Sequence, residues 1–214
     1  LKFKQLSVEE MKKSSRDFYE HVKQRRSVRF FSDKDVPVEI IENVIRAAGT
    51  SPSGANQQPW TFAVVKSMDL KQKIKDIVEN EEKINYEKRM SRKWVEDLQH
   101  IGTDHLKPYL TVAPYIIIVF KQTYRVSEEG KREPHYYFET STGISCGILI
   151  TAIHNAGLVT LTSTPMNAGP KLRDLLGRPK NEKVLLLLPV GYPRDDATVP
   201  NLTKKPLDEI MKVF

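Results

Sequence analysis

The chain has 214 residues, a formal net charge of +7 and 29% charged residues. That length is one domain's worth, residues 1–214, with room for a sizeable core and one excursion. The positive balance suits an anionic cofactor or substrate and gives loose affinity for nucleic acid, but zinc-finger spacing, an aromatic-interleaved basic helix and a basic low-complexity tail are all missing, so nucleic acid is a minor expectation.

Cys146 is the only cysteine, which excludes an intrachain disulfide. No apolar run approaches the roughly 18–20 residues of a membrane span, and nothing at the start reads as a secretion signal. The sequence as given reads as soluble, cytoplasmic if complete, with no membrane contact of its own. It starts at Leu1 rather than at a methionine, so a preceding membrane anchor is left open.

Ser7-Val8-Glu9-Glu10 reads as a capping box opening a helix that runs to about residue 23. Directly after it, Gln24-Arg25-Arg26-Ser27-Val28-Arg29-Phe30 sets three arginines and a serine within five positions. Guanidinium forks suit phosphate, although most short basic runs are solvated surface. A flavin mononucleotide carries a phosphate at one end and, at the other, a ring that becomes anionic on reduction. One basic cluster can serve both ends. Val36-Pro37 starts a second helix whose stripe is Ile40, Ile41, Val44, Ile45 and Ala48, with Gly49 ending it. In the loop 50–56, Pro52-Ser53-Gly54-Ala55 allows close backbone approach to a ligand, and its amides can donate to an anionic oxygen. An ordinary loop after a helix is the alternative. Residues 61–66 are expected as a buried strand and 69–79 as a helix.

Residues 80–110 differ in character: dense in charge, yet carrying Trp94 and Leu98. They read as a helical excursion lying over something. Glu82 and Tyr86 are four apart and share a helix face. With Lys107 they offer a carboxylate, a phenol and an ammonium, a set that can clamp both charges of a free amino acid. Spacing alone favours the plainer alternative of solvated residues on a charged helix.

A strand at 115–120 precedes a long apolar helix at about 135–156, ended by Gly157, in which Cys146 is a small buried residue rather than a nucleophile. A strand at 159–162 runs into Thr160-Leu161-Thr162-Ser163-Thr164-Pro165. A hydroxyl there can donate to the flavin nitrogen N5 and bias it to single-electron steps; a polar strand cap is the alternative. A short helix at 170–176 and a strand at 183–190, buried on both faces, complete the core. The tail, 191–214, is punctuated by Pro193, Pro200 and Pro206, holds Lys204 and Lys205, and ends in a short helix from about Leu207. A terminus that fails to pack on its own core often packs on a partner subunit; a loosely ordered end is the alternative.

Arg25 and Ser27, with Lys204 from the far end, can build a phosphate site, while Arg29 reaches the ring end of a flavin. No G-x-G-x-x-G or Walker loop is present, which disfavours dinucleotide and triphosphate folds. His21, His100, His105, His135 and His154 show no metal-ligand spacing, and no metal is expected. Mixed helices and strands, with strands covered on both sides, give an α+β class in three α/β/α layers.

These motifs together resemble the nitroreductase-like flavoprotein superfamily and, within it, the iodotyrosine deiodinase family. The resemblance runs from about Tyr19 to Met211 through R-R-S-V-R-F (25–30), A-G-T-S-P-S-G-A (48–55), P-W-T-F (59–62), E-E-K-I-N-Y-E-K-R-M (81–90), N-A-G-L-V-T (155–160), T-S-T-P (162–165), V-G-Y-P (190–193) and K-P-L-D (205–208). The insertion bearing Glu82, Tyr86 and Lys107 is the more specific part, because general nitroreductases lack this lid. The resemblance implies a nitroreductase-like FMN fold with a central, mostly antiparallel sheet flanked by helices. It adds a helical active-site lid at about 80–110 and a domain-swapped tail at about 191–214 in an obligate homodimer. It implies that Arg25, Arg26, Ser27, Val28 and Arg29 hold FMN, with Ser53 reaching it from the partner subunit. Thr162, Ser163 and Thr164 lie along the ring, Thr164 donating to N5, and Lys204 binds phosphate. Ala55, Glu82, Tyr86 and Lys107 bind a halotyrosine: the Ala55 amide holds the phenolate and the lid closes over the zwitterion. Lys204 stands where animal relatives tend to carry arginine, which loosens the geometry without losing the charge. No nicotinamide motif is visible, so NADPH as ultimate donor implies a separate reductase. A general nitroreductase and a flavin-storage protein are the competing expectations.

Overall fold

A computed structural model describes residues 2–214. Helix α1 (Val8–Lys23) starts at the expected capping box, with Ser7 N donating to Glu10 Oε2 at 2.8 Å and Glu10 N donating to Ser7 Oγ at 3.4 Å. Helix α2 (Val38–Gly49) buries Ile41, Val44 and Ala48, the centre of its expected stripe. Strand β1 (Trp60–Val65) leads to α3 (Met68–Ile84), which runs past residue 79 and carries the chain directly into the charged excursion. The excursion continues through a π turn, Asn85–Arg89, and α4 (Arg92–Gln99) before α5 (Tyr109–Val112) returns to the core.

Strand β2 (Tyr115–Gln122) is followed by a hairpin, β3 (Tyr124–Val126) and β4 (Arg132–Pro134), that the apolar pattern does not announce. Its residues are mostly exposed, so it has no buried face to write into the sequence. Helix α6 (Phe138–Asn155), strand β5 (Val159–Thr160), helix α7 (Gly169–Leu175), strand β6 (Glu182–Gly191) and helix α8 (Leu207–Ile210) follow. Strand β5 stops at Thr160 rather than 162, and beyond it only Ser163 regains a bridge, to Leu187.

The sheet order is β1-β2-β6-β5, with every strand pairing antiparallel. Strand β2 explains the layering. Ile116, Ile118 and Phe120 face one side and pack with Ile74 and Val78 of α3, Leu110 of α5 and Leu172 of α7. Tyr115, Ile117 and Val119 face the other and pack with Ile41 and Val44 of α2 and with Leu149 and Ile153 of α6. A strand covered on both faces needs apolar residues at every position, and each fully buried isoleucine contributes about 1.5–3 kcal/mol. At the junction of β2 and β6 a Cβ added at Gly191 would lie 2.5 Å from Pro114 Cδ. Only glycine fits there.

Two bridges position the site. The basic run pairs in parallel with β5 through Ser27 and Thr160, Val28 N donating to Thr160 O at 3.2 Å. Ser163 exchanges backbone bonds with Leu187 at 2.8 and 2.9 Å, which fixes Thr162 and Thr164 on either side. The tail packs differently: every residue from 201 to 214 is exposed, Leu202, Ile210, Met211 and Phe214 included. Among the described residues no helix is long and apolar enough to cross a membrane, and no His/Cys/Asp/Glu cluster could hold a metal ion.

Candidate functional site

A cavity of about 600 Å³ opens between the end of α3, the excursion and the loop after β5. Arg29, Glu82, Tyr86, Lys107 and Thr162 to Thr164 all line it, although they come from four separate stretches of chain. Met90, Trp94, Leu98 and Ile101 turn the apolar side of the excursion toward the same space. The charged excursion therefore does lie over something: its polar face meets solvent and its apolar face walls the cavity.

Glu82 and Lys107 are both withdrawn from water, with side chains 12% and 5% exposed and Lys107 Nζ 3.7 Å from Glu82 Oε2. Burial lowers the Lys107 pKa, opposed by the nearby charges of Glu82 and the carboxylate of Asp104. Its Nζ also donates to Asp104 O. Tyr86 Oη donates to Thr103 O at 3.4 Å, and the Tyr86 ring lies 5.8 Å from Lys107 Nζ. Burial and then the charge of Glu82 raise the Tyr86 pKa, so its phenol stays protonated near neutrality. Tyr109, which the sequence patterns did not single out, is a buried wall residue whose phenol is pushed far up by burial. Its setting between Pro108 and Leu110 reads as plain core. The wall thus presents an anion, a cation and hydroxyl donors within one small space, the complement of a zwitterion bearing a polar ring.

Arg29 supplies the second half of the geometry. Its Nε is buried without a hydrogen-bond partner. An orphaned buried donor costs about 1–3 kcal/mol, and Arg29 is also a lining residue of the large cavity. The rest of the basic run divides. Arg25, Arg26 and Val28 line a neighbouring cavity of about 240 Å³ together with Thr160. Arg26 also turns Nη1 back onto the end of α1, donating to Lys23 O at 2.6 Å and Arg25 O at 3.1 Å. The segment Arg25 to Arg29 therefore joins two cavities, a small one that sets two arginines against mostly apolar walls and a large, mixed one. That arrangement fits a ligand with a phosphate at one end and a polar ring at the other, as FMN has.

The structure does not bring Ser27, Ser53, Ala55 or Lys204 to the lining of either cavity within one protomer. Ser53 Oγ accepts from Gln58 N at 2.9 Å. Ala55, Asn56 and Gln58 all adopt left-handed backbone, with φ of 49°, 53° and 49°. Each costs a non-glycine residue about 1–2 kcal/mol, and such strain concentrates at ligand-facing loops. Lys204 sits in the exposed tail.

The nitroreductase family model matches residues 22–192, from the last turn of α1 to the residue after β6. The chain belongs to the nitroreductase family. Within that family it is 60% identical over 208 residues to the iodotyrosine deiodinase of Hydra vulgaris, covering 97% of this chain and 76% of the relative. It is 58% identical over 202 residues to human iodotyrosine deiodinase 1, covering 94% of this chain and 70% of the relative. Among solved structures, an oxidized iodotyrosine deiodinase bound to FMN and 3-iodo-L-tyrosine superposes with a TM-score of 0.76 at 29% identity, covering 89% of this chain and 96% of that one. The nitroreductase-like fold expected from the motifs is the fold observed.

Proposed function

We propose that this nitroreductase-family protein is an FMN-dependent deiodinase of free iodotyrosines. The carrying observation is the buried Glu82–Lys107 pair in the same cavity wall as the orphaned Arg29 Nε. Two opposite charges held out of water are costly unless each meets a partner. Glu82 and Lys107 offset each other at 3.7 Å, and the ammonium and carboxylate of an amino acid add a closer partner to each without changing the net charge of the site.

FMN is the cofactor, and when bound it supplies the reducing equivalents. Arg25, Arg26, Ser27 and Val28 hold its phosphate side, and Arg29 sets a cation against the ring edge that gains charge on reduction. Thr162 and Ser163 line the ring, while Thr164 offers a hydroxyl to N5, favouring single-electron steps. Glu82 accepts from the substrate ammonium, Lys107 donates to its carboxylate and Tyr86 closes the pocket. Replacing iodide by hydrogen on the ring takes two electrons and one proton, and iodide departs with its electron pair. Monoiodo- and diiodotyrosine both meet these requirements.

The functional unit is a homodimer. The tail's exposed Leu202, Ile210, Met211 and Phe214 have no cover on their own protomer, so the tail is read as domain-swapped. In that assembly Ser53 of the partner subunit and the backbone amide of Ala55 complete the flavin and phenolate contacts, and Lys204 pairs with phosphate. Residues 1–214 act as one domain, with 80–110 as a lid that orders on the substrate. NADPH reduces the flavin through a separate reductase.

The test is an anaerobic titration: reduce the flavoprotein with dithionite, then add diiodotyrosine. Flavin reoxidation with stoichiometric iodide is expected. Reduced flavin that ignores diiodotyrosine but is oxidised by a nitroaromatic overturns the deiodinase assignment in favour of a general nitroreductase.

A further inference from the structure

Asn85 is fully buried and begins the π turn Asn85–Arg89. Of its four amide contacts, three go to residues that line the large cavity, Glu82, Met166 and Asn167, and the fourth to Arg89. Nδ2 donates to Glu82 Oε1 at 3.2 Å and to Met166 O at 3.2 Å. Oδ1 accepts from Arg89 Nη1 at 2.9 Å and from Asn167 Nδ2 at 3.3 Å. The orientation is forced. A flipped amide would aim its oxygen at a carboxylate and a carbonyl, and its NH2 at a guanidinium. Asn167 holds a left-handed backbone, φ 67°, in the loop that follows Thr164. One side chain therefore ties the last turn of α3 to the loop carrying the ring-facing hydroxyls. π turns recur at functional sites, where they redirect a side chain.

We infer that Asn85 is a positioning residue for substrate recognition: it anchors Glu82 Oε1 to the loop after Thr164, leaving Oε2 aimed at Lys107 and at a substrate ammonium. This rests on the amino-acid-substrate reading above. Without the anchor, the Glu82 carboxylate rotates and its oxygens lose their fixed address. The inference differs from a general packing role because it predicts an effect confined to ligands with an ammonium group.

The test compares the FMN-loaded protein with Asn85→Asp, Asn167→Gly, Glu82→Gln and the Glu82→Gln/Asn85→Asp double variant. Calorimetry measures binding of iodotyrosine and of its deaminated analogue, an iodinated hydroxyphenylpropionate. Asn85→Asp, which replaces a donor by an acceptor, should weaken iodotyrosine about tenfold. The analogue should be unaffected, and the double variant should bind no worse than Glu82→Gln alone. Asn167→Gly keeps the left-handed turn and should weaken iodotyrosine about twofold. Equal losses for both ligands, or additive losses in the double variant, make Asn85 a merely structural residue and overturn the inference. If Asn85→Asp does not fold, Asn167→Gly decides: no ligand-selective loss there also overturns it. Wild-type protein that binds neither ligand removes the substrate reading itself, a result distinct from any difference among variants.

Discussion

The sheet and the excursion over the cavity are built on opposite terms. Strand β2 is apolar and buried from Tyr115 to Phe120, and it stands because both faces leave water. The excursion from Asn85 to Thr103 has little buried surface of its own. It is tied down by Asn85, by Glu81 bonded to Arg89 at 2.9 Å and to Lys171 at 2.8 Å, and by an apolar face turned to a cavity. The first region is complete in its own contacts; the second, under the proposed function, has partners for a ligand built in. Stability and recognition are thus carried by different stretches of chain, and perturbing one should leave the other readable.

The largest separation should come from Phe120→Ala, which removes a fully buried ring from β2. A loss of about 3–5 kcal/mol in denaturant unfolding is expected, and a loss below about 1 kcal/mol would mean that the two-sided core does not govern stability. Next, Glu82→Gln or Lys107→Gln should lower iodotyrosine turnover about tenfold or more, each leaving the other charge buried and unpaired. Retained turnover in both variants would break the clamp. Smaller is the pH effect. Because burial lowers the Lys107 pKa from the lysine value of 10.5, the charged form that meets a carboxylate is lost earlier than on a free lysine. Iodotyrosine affinity should decline as pH rises through that lowered value, and Lys107→Gln should abolish this limb. The finest test is Thr164→Ala, which should reduce the one-electron-reduced flavin seen in a reductive titration with ligand present; an unchanged yield removes Thr164 from that role.

The same contrast decides what could be read from the sequence. The capping box, the stripe of α2 and the apolar runs of β2 and β6 are written plainly, because burial dictates residue type. Glu82, Tyr86 and Lys107 were legible as a set through the family resemblance and through helical spacing for the first two. Asn85 was not, since an asparagine in a charged helix is indistinguishable from a solvated one until its four partners converge on it in space. The hairpin β3–β4 escaped notice for the opposite reason, having too little buried surface to leave a pattern. Ser53, Ala55 and Lys204 line neither cavity of the protomer, and their proposed roles depend on a second protomer that no periodicity within one chain encodes.

Gly191 closes β6 where the ring of Pro114 leaves no space for a methyl group. The partners Tyr115 and Val190 are immediate neighbours of that contact, and Val190 in turn pairs with Thr160, which holds Ser27. A single absent carbon thus sits beside the first of three consecutive pairings that end at the basic run. In a saturation library, position 191 should be among the sharpest depletions in the chain despite bearing no chemistry. Drift elsewhere in the sheet can be repaired by repacking, whereas here the genetic code offers no second residue that fits.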